Sequence, residues 1–179
     1  MYQHYIDLLN DLGVDFGKVK VVVETGSHRG GGAATFASLF DQVYSIELSQ
    51  SLYDYCVATH KQDNITFKHG ASTDLLKEVV KDIKQDYFLF LDAHGSGGDT
   101  TFDESVGRSG SPVLEELEQV RDNTPAIIVI DDLRCFDDPH LSYPSREQMV
   151  NSVNSIGEYS SPIVFDYKGK PQWFCFKRI

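Results

Sequence analysis

Residues 21–32 read Val-Val-Val-Glu-Thr-Gly-Ser-His-Arg-Gly-Gly-Gly. A run of β-branched residues ends in an acid, Glu24, and then breaks into glycines. Ala33-Ala34-Thr35-Phe36-Ala37-Ser38-Leu39-Phe40 follows and favours a helix. Strand, glycine turn and helix in that order open a nucleotide-binding α/β unit. Glycine lets the backbone take positive φ and pass close to a ligand, and the N–H groups at the helix start face that ligand. The spacing narrows the ligand. A dinucleotide fingerprint requires Gly-x-Gly-x-x-Gly. From Gly26 that register fails at His28, and from Gly30 it fails at Thr35. The pattern present is Glu24-x-Gly26-x-x-x-Gly30.

The rest of the chain alternates between strand and helix patterns. Apolar residues at helical spacing predict a helix over 2–12, closed by Gly13, which packs on the sheet or lids the site. Strands are predicted over 18–24, 42–48, 65–69, 87–92 and 126–132. Helices are predicted over 33–40, from a Ser49 cap to 60, over 73–83, over 113–121 behind Ser111-Pro112, and over 145–156. Residues 162–167 and 172–177 flank a Lys168-Gly169-Lys170 turn as an antiparallel hairpin. The unbroken apolar runs 21–23, 87–91 and 126–130 suit strands buried on both faces of a parallel sheet. With 179 residues, no repeats and no linker, one α/β domain over 1–179 is expected.

On the residues of the glycine turn, the chain resembles motif I of the class I S-adenosylmethionine (SAM) dependent methyltransferases. The succession of β-α units closed by a hairpin extends that resemblance over nearly the whole chain. It implies a Rossmann-like, mostly parallel seven-stranded sheet with helices on both faces and a C-terminal antiparallel hairpin. It also implies cofactor contacts. Glu24, Gly26, Ser27, His28 and Gly30 would hold the methionine part. Glu47, about 20 residues past the turn with Leu48 beside it, would take the ribose hydroxyls. Ala71 and Ser72, after the third strand, would line the adenine, although many members carry Asp there. Asp92 would border the methyl group.

Strands one, two, four and five all end in carboxylates, and ligands of open parallel sheets bind beyond those ends. Asp92, Asp131 and Asp132 should converge there. Three such carboxylates repel unless a cation joins them, and oxygen-only ligands favour Mg²⁺ or Mn²⁺. This pattern resembles the metal-dependent O-methyltransferases, including those acting on sugars. The catechol type carries a lysine three residues after the strand-four Asp. Here Gly95 stands at that place, which points away from a catechol. His94 takes the position of an acidic base candidate in the sugar type, and Asp92 is a second candidate for the proton. His28 and Arg29 are candidates for the SAM carboxylate or the acceptor. Residues 99–110 and 133–143, including Arg134, Phe136, Asp137 and His140, would build the acceptor pocket. Tyr44, Tyr53, Tyr55 and Trp173 read as core or surface aromatics.

Charge and cysteine content bound the partners. A net charge of -11 without a basic patch argues against nucleic acid and against an anionic membrane surface. Cys56, Cys135 and Cys175 are widely spaced, with no Cys-x-x-Cys pair for zinc. Together with the absence of a signal-like or transmembrane run, they read as a soluble cytoplasmic protein with a small-molecule or glycan acceptor. The oligomeric state is not legible. Three rival readings stand beside this one: a dehydrogenase-like nucleotide enzyme, a non-catalytic SAM-binding module, and a metal-free methyltransferase using His94.

Overall fold

The computed structural model describes residues 2–94, 111–138, 140–141 and 143–179. Seven strands form one sheet: β1 (Val21–Thr25), β2 (Gln42–Glu47), β3 (Ile65–His69), β4 (Tyr87–Leu91), β5 (Ile127–Ile130), β6 (Ile163–Tyr167) and β7 (Lys170–Lys177), in the order β3-β2-β1-β4-β5-β7-β6. The first five run parallel, and β7 enters antiparallel between β5 and β6. The order reverses between β1 and β4, so the carboxyl ends of those two strands face a crevice.

Alternating side chains in the central strands feed two cores. Val21, Val23, Leu89, Ile128, Ile130, Phe174 and Phe176 point to one face. There they meet buried residues of α4 (Ser72–Val80), α5 (Val113–Gln119) and α6 (Arg146–Ile156). Val22, Phe88, Phe90, Val129, Trp173 and Cys175 point to the other face, onto α1 (Gln3–Asp11) and α2 (Gly31–Phe36). The remaining helix, α3 (Gln50–Thr59), lies against β2 and β3. Burial of β1, β4 and β5 on both faces is why their sequences read as continuous apolar runs.

Two local expectations differ from the structure. The helix after the glycine turn ends at Phe36, not near 40. Ser38 donates its hydroxyl to the Thr35 carbonyl, and Ser38 and Leu39 make i−3 backbone bonds that tighten the chain. Ser49 stands at the start of α3 without capping it. Its hydroxyl pairs with Ser51 Oγ at 3.0 Å, while its N–H donates to Glu47. By contrast, Ser145 and Gln148 close a reciprocal capping box on α6. The hairpin turns through Lys168 and Gly169, both at positive φ. Among the described residues no helix is long and apolar enough to cross a membrane.

Candidate functional site

The glycine turn is tied down from three sides. Gly26 has φ 82 and runs so close to β4 that a Cβ there would meet the Asp92 carbonyl oxygen at 2.3 Å. Its N–H and that of Ser27 donate to the Ile46 carbonyl at the end of β2. A Cβ at Gly30 would meet the His60 ring at 2.5 Å. His28, between them, holds φ 48 without a glycine's freedom. Its N–H donates to Glu47 Oε2 at 2.7 Å, and Cys56 Sγ donates to its carbonyl.

The two acids of this half are occupied by neutral donors. Glu24 is 2% exposed. Ser45 donates to its Oε2 at 2.5 Å, Ser27 Oγ lies 2.5 Å from Ser45 Oγ, and the Ala33 N–H reaches the same carboxyl. Burial pushes the Glu24 carboxyl up to about 8, the Ser45 bond opposes this, and the nearby Glu47 adds to it. Glu24 therefore braces the start of α2 from inside. Glu47 accepts from the N–H groups of His28 and Ser49, and burial raises its carboxyl against those bonds. The Leu48 carbonyl faces His69 Nε2 at 3.1 Å. Ala71 immediately precedes α4, and the Ser72 hydroxyl bonds to the Glu116 carboxyl.

The other half gathers charged groups. Asp92 leaves β4 with its N–H on the Thr25 carbonyl. Asp132 adopts φ 57 after β5, and its N–H donates to Asp131 Oδ1 at 2.7 Å. His94 lies between the acids, with Nδ1 at 3.3 Å from Asp92 Oδ1 and Nε2 against Asp132 Oδ2. Arg134 pairs with Asp132 Oδ1 and donates to Gln172 Oε1. Gln172 Nε2 donates to Asp131 Oδ1 at 2.5 Å and to Asp132 Oδ1 at 3.1 Å. Burial, followed by the charges of Asp131 and Asp132, drives the Asp92 carboxyl well up, and a hydrogen bond joins it to Asp131. Burial also raises Asp131. Burial acts in the same direction on Asp132, but His94 and Arg134 overrule it and hold that carboxylate below its usual range.

The predicted oxygen-only metal centre differs from what is present. Asp92, Asp131 and Asp132 do come together, but among the described residues no group of His, Cys, Asp and Glu is arranged to hold a metal ion. Both oxygens of Asp132 and one of Asp131 already carry nitrogen donors. As they stand, these acids do not fit Mg²⁺ or Mn²⁺, which need open oxygen positions. In the other half, a Cβ at Gly26 would meet the Asp92 backbone, and Glu47 ends β2 with its two oxygens on the N–H groups of His28 and Ser49.

Three contributors escaped the sequence reading. Tyr5 of α1 stacks on Phe36 at 5.3 Å and meets Phe90 edge-on at 5.2 Å. Burial, then Asp92, Asp131 and Glu24, raise its hydroxyl, so α1 borders both acid groups. Gln172 carried no signal, because its partners lie 40 and 41 residues away. Glu116 is 1% exposed and bonds to Ser72 and Thr25, and its Oε1 has no hydrogen-bond partner among the described residues. Burial pushes its carboxyl up to about 7, against those two hydroxyls and the nearby His94. Its place on the apolar stripe of Val113, Leu117 and Val120 was the available sign.

The remaining candidates have these surroundings. Phe136 is core and meets Tyr143 edge-on at 5.2 Å. Asp137 accepts from the Arg146 N–H at the start of α6. His140 is exposed, its N–H on Asp138. His28 and Arg29 are exposed, with the Arg29 guanidinium 5.9 Å from the Tyr55 ring centre. Trp173 is buried in the core. The predicted loop over 99–110 and the Gly95 position lie outside the described residues.

No family model matches the sequence, and no curated protein matches it. Solved structures do. TomG from Streptomyces achromogenes, an O-methyltransferase of tomaymycin synthesis solved with SAM, is 13% identical, with TM-score 0.62 over 98% of this chain and 78% of that one. A SAM-dependent methyltransferase from Anabaena variabilis is 10% identical, with TM-score 0.63 over 98% and 83%. A Staphylococcus aureus structure assigned as a caffeoyl-CoA O-methyltransferase is 19% identical, with TM-score 0.61 over 99% and 84%. The likeness is one of fold. This chain has the Rossmann-like fold of class I SAM-dependent methyltransferases, over almost its full length.

Proposed function

We propose that the chain, as a single domain, binds SAM across the carboxyl ends of β1, β2 and β4 and transfers its methyl group to a hydroxyl oxygen. The observation carrying this reading is His94 held between Asp92 and Asp132 beside a glycine turn, at the switch point of a sheet of this order. The glycine turn would take the methionine part and Glu47 the ribose hydroxyls. His94 Nδ1, the looser of its two contacts, would accept the acceptor's hydroxyl proton. The resulting imidazolium would be stabilised by Asp132. The oxygen would then form its bond to the methyl carbon as the carbon–sulfur bond breaks, leaving S-adenosylhomocysteine. Holding oxygen, carbon and sulfur in line is the main contribution asked of the protein.

A polyhydroxylated acceptor, a sugar of a glycan or glycoside, suits a chain with Gly95 at the catechol-type lysine's place and His94 at that of the sugar-type base. Metal assistance by Mg²⁺ or Mn²⁺ belongs to this reading only if His94 and Arg134 release Asp132. The test is calorimetric titration of SAM into chelator-treated protein, repeated with Mg²⁺ and with NAD as control, followed by a screen of sugar acceptors with and without Mg²⁺. Saturable SAM binding with NAD silent supports the reading. Silence with SAM in both metal conditions ends it, and an NAD response transfers the site to a dehydrogenase-like enzyme. SAM binding with no transfer to any acceptor points to a binding module.

A further inference from the structure

We propose that Arg134 and Gln172 fill the place the strand-end acids offer to a divalent cation, so that the Asp132–His94 pair is charge-balanced by the protein itself and needs no metal. The inference rests on the methyltransferase reading and deepens it. Its basis is how each donor reaches the acids. Arg134 lies on the short 3₁₀ turn Leu133–Cys135 that follows β5, two residues past Asp132. Gln172 is delivered by the hairpin. Ile130 of β5 faces Phe174 of the antiparallel β7, and continuing that register by two residues sets 172 opposite 132. A guanidinium has only donors, so Gln172 turns its oxygen to Arg134 and its amide nitrogen to Asp131 and Asp132. The left-handed backbone at Asp132 brings its N–H onto Asp131.

Every Asp132 oxygen is thereby met by a nitrogen of Arg134, Gln172 or His94. A buried carboxylate cluster is stable only with compensating charge or shared protons. Here Arg134 compensates Asp132, Gln172 ties it to Asp131, and Asp131 hydrogen-bonds Asp92. Arg134 is a positioning residue: it holds Asp132 where Asp132 orients the His94 ring.

The test is Mn²⁺ titration of the full chain, read from the free-ion electron paramagnetic resonance signal. The wild type should leave the signal unchanged. Arg134→Ala should lower the free-ion signal at Mn²⁺ concentrations where the wild type leaves it unchanged, because a vacated buried carboxylate seeks another cation. Adding Asp131→Asn to that variant should abolish the gain, and Arg134→Lys, which keeps the charge, should prevent it. Gln172→Ala is a second variant, expected to show a smaller gain. Mn²⁺ binding by the wild type that is lost in Asp131→Asn overturns the inference, and so does an Arg134→Ala protein that is folded and gains nothing. SAM titrated into the same samples separates the two failures: no SAM binding ends the methyltransferase reading, whereas Mn²⁺ on a SAM-competent wild type ends only this one.

Discussion

The two halves of the site carry acids in the same place, at the carboxyl ends of strands, yet treat them differently. Around β1 and β2, Glu24 and Glu47 are met by hydroxyls and backbone N–H groups. Around β4 and β5, the acids are met by His94, Arg134 and Gln172. Burial raises Glu24 to about 8 because only neutral donors oppose it, whereas Arg134 and His94 hold Asp132 low; Asp92 and Asp131 beside it, without a cation of their own, are raised by burial as Glu24 is. The first half is built as a shaped backbone surface, the second as a reactive charge cluster. A strand-end acid by itself states neither role; its partners decide it.

The harshest way to break this contrast is Gly26→Ala. The new Cβ would meet backbone atoms of Asp92 at 2.3 and 2.7 Å, and φ 82 adds strain. The expected loss is about 3 kcal/mol or more, with the turn pulled away from β4. Denaturant unfolding and SAM calorimetry read it, and wild-type stability would show that the two halves are not rigidly joined.

The next effect belongs to the charged half. His94→Gln should lower methyl transfer by about 10²–10⁴-fold while leaving SAM affinity nearly unchanged. A parallel loss of SAM binding would move His94 into the cofactor surface and erase the distinction. Asp92→Asn should follow the same pattern.

The pH dependence of stability should then separate the acids met by neutral donors from Asp132. Glu24 and Glu116 have raised folded values, about 8 and about 7, against an ordinary 4.5. The folded state binds those protons more tightly. Their contribution is fully present below the unfolded value and is lost as pH rises through 7 and 8. Asp132 has a lowered value, so its contribution is present above the ordinary 3.8 and lost as pH falls below it. Glu116→Gln should flatten the decline in stability between pH 4.5 and about 7 by about 1–3 kcal/mol. An unchanged slope would mean that Glu116 is ionised at no cost.

The smallest expected effect is Ser45→Ala. It removes the link from Ser27 to Glu24 and should cost about 1 kcal/mol. It should leave the Asp92–His94–Asp132 cluster untouched. A change there, followed by the imidazole resonances of His94, would show the halves to be coupled through β1.

Much of the architecture was legible. β3 occupies residues 65–69 as predicted, and the hairpin and all five parallel strands fall where the apolar runs stand. Turn chemistry was legible because Gly26 and Gly30 are needed by the backbone itself, through positive φ. The acids were legible as strand-end residues. Their partners were not. Ser45 reaches Glu24 across 21 positions, and Gln172 reaches Asp132 across 40. Glu116 differs from the exposed Glu115 beside it only by falling on the apolar stripe of the helix, and its partners Ser72 and Thr25 lie far along the chain.

The order of strands and helices, the glycine turn and the carboxylates that end the strands could be read before any folding. These follow from local periodicity, backbone sterics and the burial of apolar runs, all written into neighbouring residues. What those carboxylates meet depends on how the strands pair. Parallel pairing of β1 with β2 brings Ser45 to Glu24, and antiparallel insertion of β7 brings Gln172 to Asp131 and Asp132. The state of a buried charge depends on the groups within a few ångströms of it, and chain separation carries no information about that distance.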